Sequence, residues 1–336
     1  MKEKPERAGK KEGTGKKERT ARMLTNPWVA GLLAVCCTAL WGSAYPCVKS
    51  GYELFQIAGE DVSSKILFAG YRFFAAGIMT FIFSWISSGR VPAVKRGNIP
   101  GALGLGLVQT TLQYIFFYIG VANTTGVKGS IIGASSTFFT ILLAHFLIKS
   151  EKIDMKKGLG CILGFSGVVL ASFTAQGLDA SFSIEGEGFL IISALSYAAA
   201  SIWSKGLAKK EDPIVITAVQ LLFGGAVLMI LGFSFGGHID VVVWSGAVLF
   251  LYMAFISSAA FSLWTLLLKY NPVGKVAIYG FMTPVFGVFM SALFLGESAW
   301  NMRNLAALLM VSAGIIVVNR DGKWNCTKNN DGKCTG

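Results

Sequence analysis

Arg72 is the residue of this sequence whose chemistry fits its surroundings least. It stands in "AGYRFFAAG", residues 69–77, inside an apolar run from 65 to 87. A charge near the middle of a membrane costs at least about 2.5 kcal/mol, so such a residue faces a cavity or a partner. A guanidinium presents a planar fork of donors that grips a carboxylate or phosphate through two bonds. Arg72 therefore either binds an anionic group or reaches Glu53, Glu60 or Asp61 at the rim, and Lys49 either joins it or stays solvated. Further on, "LGLVQTTLQYIFFYIG" sets Gln109 and Gln113 four apart, on one face of a helix, with Tyr114 beside them. Amides in hydrocarbon need partners, so that face points into protein, as a polar substrate path or as interhelical hydrogen bonding. Trp41, Tyr45, Tyr197, Trp203 and Tyr279 lie within apolar runs, where they form either a stacking wall or core packing. Gln220 and Ser258 add polar groups in later runs.

Other chemistry lacks its residues. The chain has two histidines and no CxxC pair, and its six cysteines are scattered, so no metal or other cofactor is expected. All 18 acidic residues fall in tails, loops or helix ends. That leaves neither a paired-carboxylate nor a two-histidine constellation for an enzyme, nor a mid-span carboxylate for a proton relay. The rows "GALGLG" and "GSIIGASS" have no strand before them, so they read as tight helix crossings and not as phosphate loops.

What must position these residues is a set of membrane helices. Of 336 residues 53% are hydrophobic and 14% charged, and the mean hydropathy is +0.59. A soluble domain carries about 25% charged residues. Ten runs are long enough to span, roughly 28–48, 65–87, 99–121, 127–148, 157–174, 186–207, 213–234, 242–267, 274–295 and 302–319. With the N-terminus inside, inner segments hold 25 Lys/Arg and outer segments only Lys49, Lys65, Lys128 and Arg303. That asymmetry predicts a multi-pass plasma-membrane protein with both termini cytoplasmic. Nine of the cations precede residue 26, in a segment read as a disordered tail (1–26), and residues 320–336 form a second tail. No aromatic-basic platform accompanies that charge, so nucleic acid is not an expected partner.

The chain also resembles itself. A slide of 148 residues lays "AGYRFFAAG" over "TAVQLLFGG" (217–225), matching Arg72 to Gln220 and Gly77 to Gly225, and lays "ANTTG" (122–126) over "YNPVG" (270–274). A slide of 146 pairs Glu151 with Glu297, and "ALWGSAYPCVKSG" (39–51) is echoed by "ALSYAAASIWSKG" (194–206). Two units follow, 27–174 and 183–319. Each holds five spans, an odd number, so the second enters the membrane from the opposite side.

"ALWGSAYPCVKSG", "YRFFAAG", "NTTGVKGSIIGASSTFFT" followed by "KSEK", and "GFMTPVFGVFMSALFLGE" resemble the paired EamA domains of the drug/metabolite transporter superfamily. The resemblance implies an all-α integral membrane protein of ten transmembrane helices in two inverted five-helix repeats. It further implies a secondary transporter, often an exporter, for small metabolites such as amino acids, nucleotide precursors or sugars; with Arg72 read as an anion site, an amino acid-like compound or organic anion is the expected cargo. A sugar or nucleotide-type carrier, or a non-transporting scaffold or sensor, is the alternative. The expected partners are a small-molecule substrate and the lipid bilayer, with the chain a monomer or homodimer. The longer first outer loop, "GYELFQIAGEDVSSK", and the basic tail depart from the family pattern.

Overall fold

The computed structural model describes residues 19–124, 126–172, 183–241, 243–295 and 302–319, with two short strands near the C-terminus, Thr327–Lys328 and Cys334–Thr335. The helices are α1 (Pro27–Leu54), α2 (Val62–Ser88), α3 (Arg96–Ala122), α4 (Gly126–Leu147), α5 (Met155–Ser172), α6 (Ile184–Ala208), α7 (Pro213–Ser234) and α8 (Trp244–Tyr270). They continue with α9 (residues 273–295) and α10 (Met302–Asn319). Among the described residues, six helices, α1, α2, α3, α6, α7 and α8, are long and apolar enough to cross a membrane. Trp28, Ile86, Ile162 and Ile230 lie on outward faces and are exposed, a pattern that lipid tolerates and water does not.

Local chemistry sets the ends. The Asn26 side chain accepts from the Trp28 amide at 3.0 Å ahead of Pro27, and Asp212 accepts from Ile214 N at 2.8 Å ahead of Pro213. Each supplies an acceptor to the orphan amides of a first turn in which proline costs nothing. Asp61 caps α2 in the same way, at 2.9 Å from Ser64 N. Gly89, at φ 65°, closes α2 in the left-handed conformation that favours glycine. Two boundaries correct the sequence expectation. The first connection is shorter than "GYELFQIAGEDVSSK", because α1 runs through Pro46 to Leu54 and α2 begins at Val62. Residues 19–24, read as part of the tail, are helical, and Leu24 is buried.

Packing repeats along the chain. Helix α2 packs along α7 and α5 along α10; α1 packs on α8 and α9, and α6 on α3 and α4. Exchanging each helix for the one five places on leaves this pattern unchanged. The α2–α7 contact is antiparallel and glycine-lined. A Cβ on Gly77 would stand 2.6 Å from Leu222 N, and one on Gly225 2.5 Å from Phe74 N. Leu222 follows Phe74 by the same interval that separates Gly225 from Gly77. The two backbones approach where only a hydrogen fits, as in small-residue crossings of membrane helices. Gly77→Ala and Gly225→Ala should each lower the melting temperature of the detergent-solubilised protein, since overpacking costs about 1–3 kcal/mol. An unchanged melting temperature in both would contradict this contact.

Candidate functional site

A cavity of about 610 Å³ lies between α1, α2, α3, α4, α6, α8 and α9. Its rim includes Gly59, Val121 and Ala122, all exposed, at the end of the bundle that holds the α1–α2 connection. Its floor is Thr137 on α4 with Ala277 and Gly280 on α9. Helix α9 is not regular there. It is built of Val273–Ala277, a 3-10 turn Ile278–Phe281, and Met282–Leu295. The tighter turn brings Gly280 close to Thr137, whose Oγ1 would stand 2.5 Å from a Cβ at that position.

Five sequence-predicted residues meet in this cavity: Trp41, Arg72, Gln113, Tyr114 and Tyr197. Arg72 is 5% exposed, its guanidinium carbon 4.4 Å from the centre of the Phe73 ring. Its Nε has no hydrogen-bond partner, and no described acidic residue forms a salt bridge with it. The pairing with Glu53, Glu60 or Asp61 is therefore not made; Asp61 is engaged with Ser64 at the helix cap. Trp41 Nε1, Tyr52 Oη and Gln113 Oε1 are also buried without partners on the cavity wall. Trp41 anchors an aromatic group, 5.5 Å from Phe261 and 6.4 Å from Tyr197, both edge-on. Tyr114 packs 4.4 Å from Phe73.

Five predicted residues stand elsewhere. Residues Leu107–Leu112 of α3 form a π-helix, in which Gln113 N bonds to Val108 O. Its wider turn breaks the four-residue spacing, so Gln113 reaches the cavity and Gln109 does not. That π segment packs on α7, where Thr111 Oγ1 donates to Gly224 O at 3.1 Å and Gln220 is fully buried. Ser258 bridges α8 to α2 through Thr80 at 2.7 Å, while the adjacent Ser257 lines the cavity. The Trp203 ring covers Gly104 on the outer side of α3 and is 39% exposed. Tyr279 is buried in the core, its hydroxyl beside Gly31. The Tyr45 side chain lies outside the described residues. Lys49 is exposed, and the cation at the cavity mouth is Lys65 instead.

The opposite end is closed. Beyond the floor, Ile141, Ala144, Trp264, Leu268, Val276 and Ile278 form one apolar cluster. Behind it lies a buried polar knot that joins the chain's two halves. Glu151, after α4, accepts from Lys205 Nζ on α6 at 3.1 Å and from the Val273 and Gly274 amides at the start of α9, at 2.8 and 3.0 Å. Lys205 Nζ also donates to Asn271 O at 2.7 Å. Asn271 Nδ2 donates to Leu24 O at 3.1 Å, which ties in the N-terminal helix. Lys205 and Glu151 are 6% and 5% exposed, and together these bonds compensate both charges. Sequence reading counted Lys205 only as an inner cation; burial at a helix end leaves no mark in local pattern.

This fold and cavity have known relatives. Residues 28–173 and 184–320 each match the EamA-like transporter family. The chain belongs to that family, within the drug/metabolite transporter superfamily, and is a multi-pass membrane protein. An uncharacterized transporter of Bacillus subtilis, YvbV, is 26% identical over 299 residues, covering 87% of this chain and 92% of its own. A probable amino-acid metabolite efflux pump of Salmonella typhimurium is 24% identical over 305 residues, covering 85% and 93%. One solved crystal structure superposes with a TM-score of 0.72 at 15% identity, covering 87% of this chain and 96% of that one, and so shares the fold. The family is one of transporters, not of enzymes.

Proposed function

We propose that this EamA-family protein is a secondary carrier. Two inverted five-helix repeats, ten spans in all, turn its cavity alternately toward each face of the plasma membrane. One observation carries this reading: the cavity is open at one end and sealed at the other by the Glu151–Lys205 knot. With the N-terminus in the cytoplasm, the open end faces outward and the knot is the inner closure. The exchange-invariant packing of the helices supports the inverted repeat, because a protein built of two opposed copies can adopt the mirrored, inward-open arrangement at little cost.

The cargo that suits the cavity is a small amphipathic metabolite with an anionic group, held by Arg72 and flanked by Trp41, Tyr114 and Gln113. The efflux named for the Salmonella relative supports export as its direction. Vesicles bearing the purified protein, loaded with a mixture of amino acids, sugars, nucleotides and organic acids, test the reading. One class should leave faster than from protein-free vesicles. Equal retention of all four would contradict it.

A further inference from the structure

The charge balance of the cavity narrows the cargo further. Two of its lining residues are cationic, Lys65 and Arg72, and none of the described lining residues is acidic. The two cations lie seven residues apart on one face of α2, about 10 Å along the helix, Lys65 near the rim and Arg72 in the interior. Lys65 is held at the mouth by its bond to Gly59 O and by the Tyr52 ring, 5.3 Å from its Nζ. Arg72 is nine-tenths buried with Nε unsatisfied. The orphaned groups around it are one further donor, the Trp41 indole N–H, one acceptor, Gln113 Oε1, and the Tyr52 hydroxyl, which can serve as either. A buried guanidinium with an unsatisfied Nε and no described carboxylate beside it calls for an anion, while a second cation finds here only two like charges. Between Arg72 and the floor the wall is aromatic, with Trp41, Tyr114, Tyr197 and Phe261, which suits a flat apolar body.

We infer that the cargo is an aryl carboxylate without an ammonium group, drawn to Lys65 and held at Arg72. The inference rests on the carrier reading above. It separates organic acids from the zwitterionic amino acids that share their carboxylate.

Four matched compounds test it on the purified full chain, by thermal stabilisation and tryptophan quenching. They are 3-phenylpropanoate, 3-phenylpropanamide, L-phenylalanine and 2-phenylethylamine. The carboxylate should bind about 10- to 100-fold more tightly than the amide, the range of a lost charge-assisted contact, and L-phenylalanine should fall below the carboxylate by a similar factor. Arg72→Gln should erase the preference for the carboxylate over the amide, and Arg72→Lys should restore part of it, which separates charge from misfolding. Lys65→Gln should slow association and flatten its dependence on salt, with dissociation little changed. Binding of L-phenylalanine as tight as that of the carboxylate would overturn the inference, and so would failure of all four compounds to bind. Neither result touches the carrier reading, which stands or falls on the vesicle assay and on the sidedness of the cavity.

Discussion

Lys205→Met is expected to weaken the closed end by about 3–5 kcal/mol, the penalty for removing one member of a buried ion pair. Glu151 would keep the Val273 and Gly274 amides but lose its countercharge, and Asn271 O would lose a donor. Glu151→Gln should cost a similar amount, because it leaves the buried ammonium without its countercharge and sets an amide NH2 against the Val273 or Gly274 N–H. The double variant places two neutral groups together and should recover most of the loss. A double-mutant cycle on thermal unfolding or on amide exchange of the α9 start gives the coupling directly. A bias of this size would change the ratio of closed to open inner ends by more than about 100-fold. Additive single effects would show that the pair is incidental to closure.

Arg72→Gln carries the second large effect, and its two readouts should move in opposite directions. The guanidinium is buried with Nε unpaired, lies against the Phe73 ring and forms no salt bridge among the described residues, so without ligand it is expected to be a net cost to the fold. Gln is the residue at the matching position of the second repeat, Gln220, and fits a similar volume without charge. The ligand-free variant should therefore be more stable, by roughly 1–2 kcal/mol or a few degrees in melting temperature, while ligand-induced stabilisation disappears. A less stable ligand-free variant would mean that Arg72 is structural, as the alternative reading of the sequence held.

Much of the scaffold could be read from pattern. Apolar run length located the helices to within a turn or two, and the slide of 148 residues located Gly77 and Gly225, which meet corresponding residues across the α2–α7 contact. Arg72 was legible because charge in an apolar run is expensive. The rest depended on geometry that local sequence does not encode. The π-helix at Leu107–Leu112 redirects Gln109, and nothing in "LVQTTL" announces an extra residue per turn. The 3-10 turn at Ile278–Phe281 sets Gly280 on the cavity while Tyr279 turns into the core. Lys65 stands at the first residue of the second apolar run and reads as an outer cation, and Tyr52 falls in the first outer loop; only the tertiary structure sets both on the cavity. Lys205, Glu151 and Asn271 come from three distant segments, and only tertiary structure brings them together.

The central claim is that one cavity serves both faces in turn, and a single cysteine at Ser136 tests it most directly. Ser136 lines the cavity on α4, and the six native cysteines can be replaced to give a silent background. In sided membrane vesicles a small, membrane-impermeant thiol reagent should modify Ser136→Cys from the outside. Adding Lys205→Met should make the same position reactive from the inside and less reactive from the outside. Modification from the outside alone, at one rate with or without Lys205→Met, would contradict alternating access through this cavity.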